Sequence, residues 1–340
     1  MSRLSYYCEM LNRMHPWHAM PKVWNYAKYR CYSRKATMSL SRYTPQIAGL
    51  LLTTRCNLHC GYCSVARVMQ QNKEAGQEVD IDLEKTKRIF SNPLFARCLL
   101  VDLLGGEPLL VRDIDRIIAY LAGRGHIINT STNGLLLADR VAELKKAGVS
   151  RINVSLYDAN RSVMERDLEK INRVFPVHAS IVLVRSDIEN HREKILSLVR
   201  CAHESGCRSL RFWIYRPMGA NPQPQEVISE THPAYLDFRQ EVEKAFAGFC
   251  FWPPAIQTKV VKKRCPQLWQ RILCDSLGRI TICCGTDNIL QGPQSNLFCD
   301  DPALLWNHPT FVTVRQQLLD PNSEPPQMCK SCNLLGEPGW

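Results

Sequence analysis

The chain of 340 residues contains no run of 18 apolar residues, so no segment reads as a membrane-spanning helix. Its first twenty residues, MSRLSYYCEMLNRMHPWHAM, lack the unbroken apolar stretch of a secretory signal. No internal repeat of useful length is present, so the chain does not read as a repeat array. Acid is almost missing from residues 1–48, where Glu9 stands alone against eight basic residues. Cysteine, by contrast, is abundant at 16 residues. Without an export signal these cysteines point to a reducing compartment, the cytoplasm. Clustered thiols there bind metal or do redox chemistry rather than pair. An apolar fraction of 45% and a charged fraction of 22% are those of a globular protein with one or two domains.

The eight basic residues of the arm (Arg3, Arg13, Lys22, Lys28, Arg30, Arg34, Lys35 and Arg42) are interleaved with eight aromatics. Two roles fit this composition. The arm touches an anionic membrane surface or a phosphorylated substrate, or it is a helical extension packed on the main domain with its charges in water. No nucleic-acid partner is expected. With the core read as starting at Gly49, deletion of residues 1–40 is expected to leave the rest intact.

From residue 49 to about 215, short apolar runs alternate with amphipathic segments. Strands are expected at 49–54, 98–104, 126–132, 151–157, 177–184 and 209–215, with helices between them. The runs suit strands buried on both faces of a parallel sheet. Six β/α units predict an α/β partial (β/α)6 TIM-like barrel with its site at the carboxyl ends of the strands. RPMGANPQPQ (216–225) opens a linker with a bridging helix, to residue 258. Residues 259–340 read as a small cysteine-rich domain.

The segment LTTRCNLHCGYCSV, 52–65, places Cys56, Cys60 and Cys63 on the loop after the first strand with spacing C-x3-C-x2-C. Three thiolates suit a [4Fe–4S] cluster whose fourth iron is left open. A zinc site completed by Cys31 or His59, or plain thiols, are the alternatives. The second strand ends in GGEP, Gly105 to Pro108, whose glycines let the backbone approach a ligand closely. The triplet, the aromatic Tyr62 before its last cysteine, GGEP, TNG (132–134) and VSLYD (154–158) together resemble the radical S-adenosylmethionine (radical SAM) family. Tyr157 departs from the family's usual S-L-D-G. The resemblance implies a cluster on Cys56, Cys60 and Cys63 and a bound SAM. Tyr62, Gly105, Gly106, Glu107, Pro108 and Asn133 would lie around the SAM. Carbonyls of the GGEP turn and Glu107 would accept from its ammonium. Ser155 and Arg166 look like the family's contacts to its carboxylate and ribose. The implied chemistry is reductive cleavage of SAM to a 5′-deoxyadenosyl radical, which abstracts hydrogen from an unactivated substrate carbon. An electron donor such as flavodoxin or ferredoxin is implied as partner.

The tail holds a second set: Cys265, Cys283, Cys329 and Cys332. DSLGRITIC fits a hairpin with a Gly turn and a strand leading to Cys283. Four thiolates suit a closed auxiliary [4Fe–4S] cluster, and the arrangement resembles the SPASM or twitch extension of radical SAM enzymes. The single-cluster twitch type is expected, and a zinc ribbon is the alternative. Cys274, Cys284 and Cys299 are either hydrogen-atom donors to a substrate radical or buried structural thiols. The expected substrate is a small molecule (a sugar, nucleoside or amino-acid derivative). It would undergo oxidation, epimerisation or carbon–carbon bond formation. A maturase of a ribosomally made peptide and a non-catalytic iron–sulfur or zinc protein are the competing functions.

Overall fold

The structure, a computed structural model, describes residues 16–33, 39–63, 65–76, 80–217, 222–252, 265–283, 289–290, 292, 295–330, 332 and 335. Among them one sheet runs through the molecule in the order β7-β6-β5-β4-β3-β2-β1-β8-β9. Strands β1 (Ile47–Leu51), β2 (Leu100–Leu104), β3 (Ile127–Thr132), β4 (Arg151–Ser155), β5 (His178–Leu183) and β6 (Leu210–Ile214) are the six expected parallel strands. A short β7 (Cys250–Phe251) extends the parallel sheet past β6. Two residues are too few to show a period, so the sequence pattern did not reveal it. On the other edge, β8 (Arg271–Cys274) pairs parallel with β1, and β9 (Ile280–Thr281) returns antiparallel to it. The cysteine-rich segment is therefore continuous with the core sheet.

Helix α1 (Pro16–Ser33) precedes β1. Between β1 and β2 lie α2 (Ala66–Glu74), α3 (Leu83–Ser91) and α4 (Pro93–Ala96). The later crossovers carry α5 (Ile114–Gly123), α6 (Leu137–Ala147), α7 (Arg161–Val174), α8 (Arg185–Asn190) with α9 (Arg192–Glu204), and α10 (Pro233–Ala245). Then α11 (Gln267–Gln270) leads into β8, and α12 (Pro302–Trp306) and α13 (Pro309–Leu319) follow β9. Local chemistry sets their ends. The Asp82 side chain accepts from Lys85 N at 2.7 Å and caps α3. Gly148, at φ +96°, terminates α6 in the left-handed conformation.

The sheet is two-faced. Leu50, Val101, Leu103, Ile128, Ile152, Val154, Ala179, Phe212 and Ile214 are buried in one core with Ile117, Leu144, Leu168 and Val199 of the helices. The alternate residues Asp102, Asn129, Asn153, Ser155, Ser180 and Arg211 are polar. Burial on both faces, as expected from the sequence, holds for β1 alone among the first four strands. On β3 and β4 the inner residues Asn129, Ser131, Asn153 and Ser155 stay half-buried.

That polar face carries one cross-strand tie of consequence. Arg271 Nη2 reaches Asp102 Oδ2 at 2.7 Å, over β1, and Asn129 Nδ2 donates to Asp102 Oδ1 at 3.2 Å. Gly49 pairs with Asp102 and with Leu273, and a Cβ on it would lie 2.5 Å from Leu273 Cδ1. Glycine thus gives β8 room to close on β1. Behind the sheet, Arg315 is fully buried. Its Nε donates to Leu268 O at 2.9 Å, and its guanidinium stacks 4.6 Å from the Trp306 ring centroid. It joins α13, α12 and α11.

Helix α1 is docked. Lys22, Asn25 and Tyr29 are buried. Lys22 Nζ donates to Arg124 O at 3.1 Å, Asn25 Nδ2 to Thr44 O at 3.1 Å, and Tyr29 OH to Gln270 Oε1 at 2.9 Å. Burial pulls the Lys22 pKa down. For residues 16–33 this is the packed extension of the two expected roles. It argues against residues 16–33 being dispensable. Residues 1–15 and 34–38 lie outside the described part.

Deleting residues 1–33 should therefore destabilise the protein by about 3 kcal/mol or more, since three hydrogen bonds, one of them fully buried, are worth about 1 kcal/mol each before packing is counted. A truncated protein that unfolds in urea with the native midpoint would show α1 to be dispensable. Arg271→Met should cost about 3 kcal/mol by stranding Asp102, and Asp102→Leu on that background should recover most of it. Additive losses in the double variant would mean the two charges do not act as a pair.

Candidate active site

The cysteine loop is fixed by backbone. Leu52 N donates to Leu104 O at 2.8 Å, continuing the β1–β2 ladder beyond the strand. Gly106 N then donates to Thr53 O and Glu107 N to Arg55 O, both at 2.8 Å. Gly105 has φ +136°, and a Cβ there would lie 2.6 Å from Thr53 O. A Cβ on Gly106 would lie 2.2 Å from Arg55 O and 3.2 Å from Cys56 Cβ. The two glycines of GGEP thus let the β2 turn lie against the cysteine loop, one residue before Cys56. Arg55 adds a pairing with Asp80 and a bond from Nη2 to Leu110 O at 3.3 Å.

Glu107 faces inward rather than toward the mouth. Its Oε1 accepts from Thr132 Oγ1 at 2.7 Å and Leu109 N at 3.0 Å, and its Oε2 from Asn133 N at 2.7 Å. Burial raises its pKa, and the three donors oppose the shift. The bond to Leu109 N also caps the turn that begins at Pro108. Asn133 in turn donates from Nδ2 to Asn57 Oδ1 at 2.7 Å and approaches Cys56 Sγ at 4.0 Å.

Asn160, which no sequence pattern singled out, is completely buried. Its Nδ2 donates to Asn133 O at 2.6 Å and Ser155 O at 2.7 Å, and its Oδ1 accepts from Tyr157 N at 2.8 Å. It ties the β3 turn to the β4 turn. The only sequence signal was an amide just after the strand that departs from the family pattern. Ser155 Oγ lies 3.4 Å from Ser180 Oγ on the concave face. The structure gives Arg166 another setting: its side chain is 67% exposed on α7 and its Nη2 pairs with Asp167 Oδ2 at 2.6 Å. That pairing is with the next residue of its own helix.

Around the thiols the wall is aromatic. The Tyr62 ring lies 6.1 Å from Tyr157 and 6.5 Å from Tyr215, and burial keeps the Tyr62 and Tyr157 hydroxyls protonated. Burial also pushes up the thiol pKa values of Cys56, Cys60 and Cys63; Cys60 reaches about 11, with Cys63 and Cys56 adding repulsion. A bound cationic centre would favour the thiolate forms of these half-buried side chains. Leu58 N donates to Cys56 Sγ at 3.4 Å, the kind of bond that tunes a cluster sulfur. Among the described residues no three His, Cys, Asp or Glu side chains converge on a single metal ion. An iron–sulfur cube, whose corners take one thiolate each, needs no such convergence. The donor set fits it.

The second cysteine set is spread along the chain after β7. Cys265 is buried just before α11 and Cys283 follows β9. The hairpin between β8 and β9 turns at Gly278, φ +79°. Cys329 closes a short helical turn, and Cys332 Sγ lies 3.9 Å from Arg216 Nη1 beyond the end of β6. Cys274 is 1% exposed and packed in the main core, the setting of a structural thiol. Cys299 is exposed, and Cys284 lies outside the described residues.

Residues 50–223 match the radical SAM superfamily. The chain belongs to the radical SAM superfamily. As a radical SAM enzyme it uses SAM and a [4Fe–4S] cluster. A GTP 3′,8-cyclase of Mycobacterium ulcerans is 34% identical to this radical SAM chain over 191 residues, which is 51% of each protein. A probable GTP 3′,8-cyclase of Aeropyrum pernix is 34% identical over 200 residues, 54% of this chain and 50% of that one. The chain thus spans about half the length of these curated relatives. Among solved structures, Streptococcus suis SuiB bound to its precursor peptide SuiA is similar in fold. It shows a TM-score of 0.61 and 17% identity over 91% of this chain and 73% of that one.

Gly106→Ala should disrupt the cysteine loop and remove up to about four irons per chain from the anaerobically reconstituted protein. Gly61→Ala, whose Cβ meets nothing within 4 Å, should keep the native iron content. Equal iron in the two variants would contradict the buttressing role of the GGEP turn.

Proposed function

We propose that Cys56, Cys60 and Cys63 hold the SAM-linked [4Fe–4S] cluster, and that SAM lies over the ends of β2, β3 and β4. The observation that carries this reading is the GGEP turn locked by backbone bonds onto the cysteine loop. Bound together, the cluster and SAM supply a 5′-deoxyadenosyl radical that takes hydrogen from an unactivated carbon. The chain's own residues orient and shield. With the Glu107 carboxylate engaged inward, the backbone carbonyls of the Gly105–Gly106 turn are left to accept from the SAM ammonium. Asn133 and Ser155 border its carboxylate and ribose, and Tyr62, Tyr157 and Tyr215 exclude water beside it. Arg166 is not assigned a contact, because it pairs with Asp167.

The tail cysteines Cys265, Cys283, Cys329 and Cys332 are proposed to hold an auxiliary [4Fe–4S] cluster of the twitch type. The hairpin delivering Cys283 and the placement of Cys332 beside Arg216, past the end of β6, support this. The substrate is proposed to be a small molecule, a class in keeping with the GTP 3′,8-cyclases the core is similar to. A peptide substrate is the second reading, favoured by the likeness in fold to SuiB with its bound precursor peptide. Either requires a reductant such as flavodoxin or ferredoxin.

Reconstituted protein should carry about eight irons, and the triple variant Cys56→Ala, Cys60→Ala, Cys63→Ala about four. With a strong reductant the native protein should release 5′-deoxyadenosine slowly without substrate, and Cys60→Ala should not. Tightly bound zinc in the native protein, or 5′-deoxyadenosine at the native rate from Cys60→Ala, would overturn the assignment.

A further inference from the structure

Helix α1 packs the reverse of an ordinary surface helix. The face it buries carries Lys22, Asn25 and Tyr29. The face it exposes carries Met20, 71% exposed, Val23, 44% exposed, and Trp24, 66% exposed. Ala27 and Cys31 on the same side are open too. Steps of three and four residues make these five one continuous stripe along the helix. Single apolar side chains on a surface are ordinary, whereas a contiguous stripe marks a contact surface. Docking on the barrel does not account for the stripe, because the docked face is the other one.

The surroundings of the stripe are basic. Residues 16–33 contain no acid, and Glu9 is the sole acid of residues 1–48. Lys28 Nζ lies 5.8 Å from the Trp24 ring centroid. Lys22 and Asn25 reach the backbone carbonyls of Arg124 and Arg97, so the exposed side chains of those arginines border the helix. Exposed Arg42 precedes Tyr43, whose ring packs 5.5 Å from that of Tyr29. Among the described residues Lys28, Arg42, Arg97 and Arg124 form no ion pair, although Arg124 lies 5.0 Å from the Tyr120 ring centroid. An apolar stripe holding a tryptophan and flanked by bases is the pattern of a helix lying in the plane of an anionic bilayer surface. Tryptophan suits the headgroup level, with an apolar body and a polar N–H. A second copy of the chain fits less well. Face-to-face docking would set the same bases against each other, and the stripe is short beside the roughly 800 Å² per partner of a stable interface.

We infer that α1 seats the protein on an anionic lipid surface, with Met20, Val23 and Trp24 entering the headgroup region and the flanking bases answering the lipid charge. Packing and lipid contact use opposite faces of the helix, so one does not displace the other. Thr44, Arg97 and Arg124, whose carbonyls α1 engages, stand just before β1, β2 and β3. The helix thus lies across the amino-terminal ends of these strands. The cysteine loop and the GGEP turn leave the opposite ends. A protein seated this way opens its site away from the bilayer and takes substrate from the aqueous side. The inference does not depend on the proposed radical chemistry.

The test is flotation of the full-length protein with vesicles of phosphatidylcholine alone, or of phosphatidylcholine and phosphatidylglycerol in equal parts. At low salt the mixed vesicles should bind about tenfold more tightly or better, and about 0.5 M salt should erase the difference. The double variant Met20→Ser, Trp24→Ser should weaken binding to mixed vesicles about tenfold. Arg97→Gln with Arg124→Gln should do the same. Leu236→Ser, at an exposed apolar residue of α10, should bind as the native protein does. Melting temperature and iron content should stay native, since every substituted side chain is exposed and the docked face of α1 is untouched. If a double variant does not fold, its single substitutions decide. Binding to neither vesicle, equal binding to both, or binding unaltered by one or both double variants would overturn the inference. So would a concentration-dependent dimer in sedimentation that Met20→Ser, Trp24→Ser abolishes, without vesicle binding, which would give the stripe to a second copy. Flotation needs no reductant. Protein that binds the mixed vesicles but never cleaves SAM would refute the radical reading and leave the lipid contact standing.

Discussion

The Glu107 carboxylate is 1% exposed, and the groups that hold it are a backbone N–H of its own turn, a hydroxyl of β3 and the backbone N–H of Asn133. A buried carboxylate is tolerable only when its donors are all present. The turns after β2 and β3 therefore hold their relative positions together or lose them together. The same turn grips the cysteine loop through two backbone bonds, and Asn160 passes the constraint on to β4. Four strand ends behave as one body. A rigid rim of this kind suits chemistry in which a reactive fragment must meet one carbon and no other.

Behind the rim the sheet separates two tasks by face. The convex face supplies stability through aliphatic packing against helices. The concave face carries amides, hydroxyls and arginines, and the tie between Asp102 and Arg271 lies there. Polar groups on that face cost stability unless paired. Their presence on several strands in succession marks a surface kept for binding, with the ion pair serving also to hold β8 against β1.

Much of this was legible in the sequence because it is local. The six core strands fall within a few residues of their expected positions, since short apolar runs between amphipathic segments report strands directly. The triplet, GGEP, TNG and the end of β4 are read from neighbouring letters, and the fold brings them to adjacent strand ends. What escaped is what depends on distance in sequence. The bonds of Asn160 to Asn133 span 27 positions, and nothing near Asn160 announces them. The glutamate of GGEP reads as a ligand-facing acid until the β3 donors are placed beside it. The glycines of the same motif read as room for a ligand; that they also make room for the cysteine loop shows only in the fold. Alternation on β3 was masked because Thr130 and Thr132 fill buried positions, whereas RINVS on β4 alternates strictly and matches its one buried face.

The pairing of β8 with β1 has a consequence in time. Ile47 meets Arg271, so β1 has one edge open until more than 220 further residues have been made. At about 5–20 residues per second, a ribosome leaves that edge unpaired for roughly 10–45 seconds. Throughout that interval a fully apolar strand, IAGLL, presents free N–H and C=O groups to any neighbouring chain. Parallel pairing at such separation is also slow, because loop closure comes before any reward. Nascent chains of this protein thus pass through a stage that invites edge-to-edge association. Lower growth temperatures or a chaperone that shields strand edges would relieve it, without any change to the finished fold.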